Sequence, residues 1–219
     1  MRKTPFVEGE FYHIYNRGVD KRVVFTEPYE YERFLAYLYM LNGSKDLHPA
    51  DFFKTHTLQE AYGQDRGNPL VAIGAYCLMP NHFHLYMTPL VEGGISKFMQ
   101  RLQTAYTKYF NEKYVRTGAL FGRTFKDQPV DNDTQAKYLF SSIHLNPAKL
   151  DDVHRKQRGP QDLKKLKDFI ATYPYSSYKE YSSTLAVITN PKPFPRYFEN
   201  AKNLDAHIDD WLQLKDLTH

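Results

Sequence analysis

Two apolar runs, LVAIGAYCLM at 70–79 and HFHLYMTPL at 82–90, are separated only by Pro80 and Asn81, and no other feature restricts the fold so much. Proline fixes φ and asparagine tolerates turn geometry, so a two-residue break between strand-forming runs closes an antiparallel pair. Side chains alternate faces along a strand, which places His82 and His84 on one side and Phe83 and Leu85 on the other. One face of this sheet therefore carries two pre-aligned imidazoles.

The flanking segments supply the remaining elements. EFYHIYNRGV at 10–19 alternates like a strand and runs into the basic turn RGVDKR. PYEYERFLAYLYML at 28–41 repeats apolar residues at helical spacing, with Pro28 suited to the first turn and Gly43 to the end. Residues 44–68 are read as a loop with a short helix. Ile95, Phe98, Met99, Leu102, Ala105, Tyr106 and Tyr109 trace one face of a long helix that Gly118 is expected to stop. ALFGRTFKDQPV at 119–130 is expected to be a strand, and DNDTQAKYLFSSIHLNP at 131–147 a helix begun by an Asp or Thr cap and ended near Pro147. This order predicts an α+β fold, an antiparallel sheet with packed helices. Residues 151–219, basic and then rich in Tyr and Pro, read as a C-terminal extension of a core spanning 1–150.

Composition narrows the function classes. The single cysteine, Cys77, excludes an internal disulfide and a cysteine-based zinc site, and points to a reducing cytoplasmic setting. The N-terminal stretch lacks an apolar signal region, and the longest apolar run is too short to span a bilayer, so no membrane partner is expected. A net charge of +4 suits a polyanionic partner without requiring one.

Most histidines on strands are solvated or hydrogen-bonded, and a His-x-His pair gains meaning only with a third donor. Two neutral imidazoles form part of a coordination sphere, which an amide oxygen and water would complete around magnesium or manganese. Asn146, on a separate element, is the candidate for that oxygen.

Several motifs then fall in one order along the chain: YHIYNRG at 12–18, MPNHFHL at 79–85, YTKYFN at 106–111, the segment from Gly118 to Lys126, IHLNP at 143–147 and YPYSSYKEY at 173–181. In this set the sequence resembles the HUH single-strand transposases, and among them the REP-associated tyrosine transposases. The resemblance implies a ferredoxin-like sheet (the HUH endonuclease core) with both histidines on a central strand. It also implies a metal-dependent nuclease that nicks and rejoins single-stranded DNA near hairpins, as part of DNA transposition and recombination. His82, His84 and Asn146 are then the ligands of Mg2+ or Mn2+. The implied partner is single-stranded or hairpin DNA, bound by a monomer, although shorter members of the superfamily act as dimers. DNA-contacting candidates are Arg17, Lys21 and Arg22 after the first strand, Lys97 and Arg101 on the long helix, and Arg123 and Lys126 beside the site. The basic run with Arg155, Lys156, Arg158, Lys164 and Lys165 is a candidate clamp for a hairpin stem.

One departure from the family pattern matters most. The family places a nucleophilic tyrosine four residues before the asparagine, one helical turn away, and here that position is Ser142. Three explanations stand side by side: a natural binding-only relative, a nucleophile removed to trap a complex, or transfer of its role to another residue. Tyr138, one turn earlier on the same face, is the candidate substitute, although packing also accounts for it. The two main functional expectations are an impaired strand transferase using a covalent phosphotyrosine mechanism, and an inactive hairpin-binding protein that keeps the fold.

Overall fold

In a computed structural model, residues 5–122, 124–150, 160–182 and 186–195 are described. The two apolar runs form β2 (Val71–Met79) and β3 (His82–Pro89), with Met79 opposite His82 across the two-residue turn. The turn is anchored from outside: the Pro80 carbonyl accepts from the amides of Val24 (2.8 Å) and Phe25 (3.0 Å), and the Asn81 carbonyl from Gly18 (2.9 Å). Gly18 permits this approach, because a Cβ there would meet the Arg22 carbonyl oxygen at 2.4 Å.

β1 (Phe11–Arg17) pairs antiparallel with β3 and with β4 (Lys126–Val130), giving the order β2-β3-β1-β4. Since each neighbour is antiparallel, β1 runs parallel to β2 and β3 to β4, each pair split by a strand. α1 (Pro28–Met40) and α3 (Gly94–Lys113) make the two crossovers. The result is the expected ferredoxin-like α+β sheet.

Both faces of the sheet are covered. On one, Ile14, Phe83 and Leu85 pack with Phe34 and Leu38 of α1 and with Phe98, Leu102 and Tyr106 of α3. On the other, Cys77, Met79 and Tyr86 pack with Ala136, Phe140 and Ile143 of α4 (Asp133–Leu145). Leu166 and Ile170 of α5 (Pro160–Thr172), Tyr181 of α6 (Tyr178–Ser182) and Phe194 join that second cluster. Every residue of β2 is buried, in keeping with cover on both faces. Its outer edge is closed by backbone bonds from Leu78 to Tyr175 (2.9 Å), Ser177 to Tyr76 (3.0 Å) and Asn190 to Ile73 (2.9 Å). The described part of 160–195 thus contributes to the core over β2.

The remaining differences from sequence expectation are local. A four-residue helix α2 (Pro49–Phe52) and a 3-10 turn (Glu60–Gly63) occupy the 44–68 segment. α3 ends at Lys113, before Gly118: Val115 takes φ 48°, and the Arg116 amide bonds back to the Asn111 carbonyl at 2.9 Å. The strand expected at 119–130 is ordered as β4 only from Lys126, with an isolated bridge between Phe121 and Gly18 upstream. Asn132, not an Asp or Thr, caps α4: its side chain accepts from the Gln135 amide (2.9 Å), while Gln135 Oε1 accepts from the Asp131 amide (2.9 Å). This reciprocal arrangement works like a capping box.

Candidate active site

The strand register assembles the site. On β1, Arg17 lies opposite His82, Tyr15 opposite His84 and His13 opposite Tyr86. All of these side chains share the α4 side of the sheet with the histidine pair, because alternate residues of both strands enter the opposite core. His82 and His84 lie edge to face, with ring centroids 5.0 Å apart.

His13 is the residue that sequence reasoning missed. Its Nε2 is 2.8 Å from His84 Nδ1, its Nδ1 is 3.4 Å from Gln128 Oε1, and its ring stacks on His84 with centroids 5.1 Å apart. It lies within the quoted YHIYNRG motif, yet only the pairing of β1 with β3, a long-range fact, connects it to His84.

These contacts select tautomers. The amide oxygen of Gln128 can only accept, so His13 carries its proton on Nδ1 and accepts at Nε2. His84 therefore donates from Nδ1 and keeps the lone pair on Nε2. Likewise the Asn81 Oδ1, 2.6 Å from His82 Nδ1, leaves the His82 lone pair on Nε2. Burial lowers the pKa of all three imidazoles. His82 falls to about 4, helped by Arg17 and Lys149; His84 falls further, through burial and then His13, His82 and Lys149; His13 falls by burial, partly opposed by Gln128. Each is neutral at pH 7, the form a metal ion requires.

Asn146, buried just after α4, donates from Nδ2 to the Ser142 carbonyl (3.0 Å), and its Oδ1 accepts from the Lys149 ammonium (2.8 Å). The same ammonium depresses the pKa of both His82 and His84. The amide oxygen thus holds a cation beside two imidazoles whose lone pairs are available. Among the described residues no three His, Cys, Asp or Glu side chains converge as a metal cluster; the candidate donors are the two imidazole nitrogens and the Asn146 amide oxygen. This set fits a divalent ion that takes its other ligands from water or phosphate, provided Lys149 moves aside.

Ser142 and Tyr138 line a cleft of about 690 Å³ together with His13, Gln128, Pro129, Val130, Thr134, Gln135 and Leu139. One wall is the stripe of α4 that leads to Asn146; the other is the β1–β4 edge. Ser142 is half-buried and Tyr138 is 58% exposed.

The basic candidates divide by location. Arg17 acts on His82, and the Lys126 ammonium lies 5.9 Å from the centroid of the Tyr15 ring, which itself stacks on His84. Lys21 and Arg22 are exposed in the turn after β1, which Asn81 grips through the Lys21 carbonyl (3.1 Å). Lys97 and Arg101 are on α3, across the sheet, lining a separate groove of about 960 Å³; Arg101 is held by the Gly43 carbonyl (2.8 Å) and the Asp46 carboxylate (3.0 Å). Arg123, Arg155, Lys156 and Arg158 lie outside the described residues; Lys164 and Lys165, on α5, are exposed.

The chain is thus an antiparallel βαββαβ sheet with a His-x-His pair on an inner strand, on the face covered by the helix that carries Ser142 and leads to Asn146. Residues 56–139 match the family model described as "Transposase IS200 like". A solved structure described as the REP-associated tyrosine transposase bound to a REP hairpin has the same fold, with TM-score 0.51 and 12% identity over 83% of this chain and 84% of that one. No curated protein matches the sequence. The family model matches residues 56–139 of the 219, and the solved structure shares the fold of the chain. Among the described residues no helix is long and apolar enough to cross a membrane.

Proposed function

We propose that this chain binds single-stranded DNA at hairpins through a transposase-type nuclease core, residues 1–150 with 151–219 as an extension, and that strand cleavage is impaired by serine at position 142. What supports this reading is that Asn81 and His13 engage the Nδ1 atoms of His82 and His84 and leave their Nε2 atoms open, that the Asn146 amide oxygen holds a lysine whose charge reaches both imidazoles, and that Ser142 lines the cleft that His13 also lines. A phosphate seated there meets Arg17 and Lys126 as counter-charges. A hydroxyl at position 142 would attack phosphorus; the bond to the 3′ oxygen breaks, that oxygen takes up a proton, and the 5′ phosphate remains esterified to the protein. A bound Mg2+ or Mn2+ would polarise the phosphate and offset the charge it develops. The serine hydroxyl is far shorter than a phenol, and Tyr138 sits one turn back, about 5.4 Å along the helix. In-line attack tolerates little displacement of that order.

Labelled hairpin DNA incubated with Mn2+ and run on a denaturing gel tests the proposal. The chain should bind the DNA but form little covalent adduct, whereas Ser142→Tyr should yield an adduct that survives denaturation. Strong adduct formation by the unaltered chain, abolished by Tyr138→Phe, would move the nucleophile to Tyr138. Ser142→Tyr that binds hairpin DNA and Mn2+ yet never cleaves favours the second reading, a hairpin-binding protein without turnover, which the short Ser142 side chain already supports.

A further inference from the structure

The cleft beside the histidines differs in kind from its surroundings. Its lining side chains include no Asp, Glu, Lys or Arg. The cations of the site, Arg17, Lys126 and Lys149, cluster instead around His82, His84 and Tyr15. Phosphate oxygens are thus drawn to the histidine end, and little in the cleft itself attracts them.

What the cleft offers is a flat aromatic surface, apolar walls and amides. Tyr138 is the exposed ring, Pro129 and Leu139 provide apolar wall, and Gln128 supplies a carboxamide that both donates and accepts. A volume of about 690 Å³ lies within the usual range for small-ligand sites. Stacking with a few polar contacts and no countercharge is the chemistry that receives a heterocyclic base. Along α4, residues 138, 142 and 146 follow one another by single turns, so a base at Tyr138 would be one turn from a phosphate at Ser142 and Asn146.

We infer that this cleft is a binding pocket for one unpaired nucleobase next to the phosphate held at the histidines, with Tyr138 as its stacking platform and Gln128 as its hydrogen-bonding group. The inference rests on the single-strand reading above and specifies which part of the strand the α4 face holds. It gives Tyr138 a role in binding, which needs its ring and not its hydroxyl.

Anisotropy titrations of a hairpin DNA with a single-stranded flank, in metal-free buffer, test it by moving one abasic residue through the flank. Base–aromatic stacking predicts a roughly tenfold loss of affinity at one position. Tyr138→Ala should show the same loss with intact DNA and no further loss with that abasic DNA, whereas Tyr138→Phe should bind like the parent. Gln128→Ala should weaken binding of intact DNA and leave binding of the abasic DNA unchanged. If the parent binds the hairpin and no abasic position couples to Tyr138, the pocket is overturned and the single-strand reading stands. If the parent binds no hairpin DNA, both fall.

Discussion

Replacing His13 with phenylalanine probes the candidate metal site without touching a ligand. The ring would still fill space against Tyr15 and His84, but the acceptor for the His84 Nδ1–H, now 2.8 Å away, would be lost. A buried donor left without a partner costs roughly 1–3 kcal/mol. His84 can avoid part of that cost by moving its proton to Nε2 or rotating its ring, and either change takes the lone pair away from Nε2's present position. Outer partners of metal-bound histidines typically contribute about 10–100-fold in affinity, the same range expressed as binding. Calorimetry with Mn2+ should therefore show His13→Phe binding about tenfold or more weaker than the parent, with thermal stability changed far less than metal affinity. His13→Gln, which restores an acceptor, should recover part of the loss. Equal Mn2+ affinity in the parent and His13→Phe would refute the tautomer argument, and with it the placement of the lone pairs.

Alanine at both His82 and His84 should abolish Mn2+ binding in calorimetry while circular dichroism reports an intact fold; undiminished binding would remove the site assignment. Arg17→Ala and Lys126→Ala should each lower the slope of log affinity against log salt for single-stranded DNA by about 0.7, measured by anisotropy, whereas Lys97→Ala, across the sheet, should leave it nearly unchanged. Glu30, fully buried between α1 and α3, is pushed up by burial but held below its usual pKa by hydrogen bonds from Tyr114, Thr26 and Lys113. A depressed carboxylate adds stability that is complete above its unfolded pKa and is lost as pH falls through the folded value, so acid should destabilise the protein below about pH 4. Glu30→Gln should flatten that acid limb in urea titrations and cost roughly 2 kcal/mol at pH 7. Phe140→Ala, which empties the core beneath α4, should destabilise by about 3–5 kcal/mol in the same assay.

The sheet was legible because its signals are local. Pro80-Asn81 between two apolar runs fixes the hairpin, and alternation then assigns His82 and His84 to one face without further information. Helix periodicity did the same for α1 and α3. The strand at 119–130 misled because Leu120 and Phe121 are buried without being part of a ladder: they pack under the turn at Gly18, and apolar content alone cannot separate the two cases. The cap of α4 falls on Asn132 and not on Asp131, Asp133 or Thr134, because all four are competent caps and only the Gln135 reciprocity selects one. The site was half legible. As candidates, His82 and His84 follow from strand spacing and Asn146 from the resemblance, whereas His13 and Gln128 depend on which strands adjoin, and the cleft depends on how α4 sits over the β1–β4 edge.

The substitution at position 142 sits where the fold has least stake in the side chain. Each proposed ligand is tied to its surroundings by its own side chain: His82 to Asn81, His84 to His13, Asn146 to the helix it follows. Replacing any of them leaves a partly buried polar group without its partner. Position 142 is different, because Asn146 grips its backbone carbonyl, which every residue type provides. The side chain itself lines the cleft, half-buried, and none of the hydrogen bonds described above uses its hydroxyl. A tyrosine there and a serine there are therefore close to equivalent for folding, for the orientation of Asn146 and for the tautomers of the histidines. On the proposed function, a change at this one position would remove cleavage while the candidate ligands and the proposed base cleft stay assembled, so weak cleavage and retained DNA binding are the outcomes to expect together.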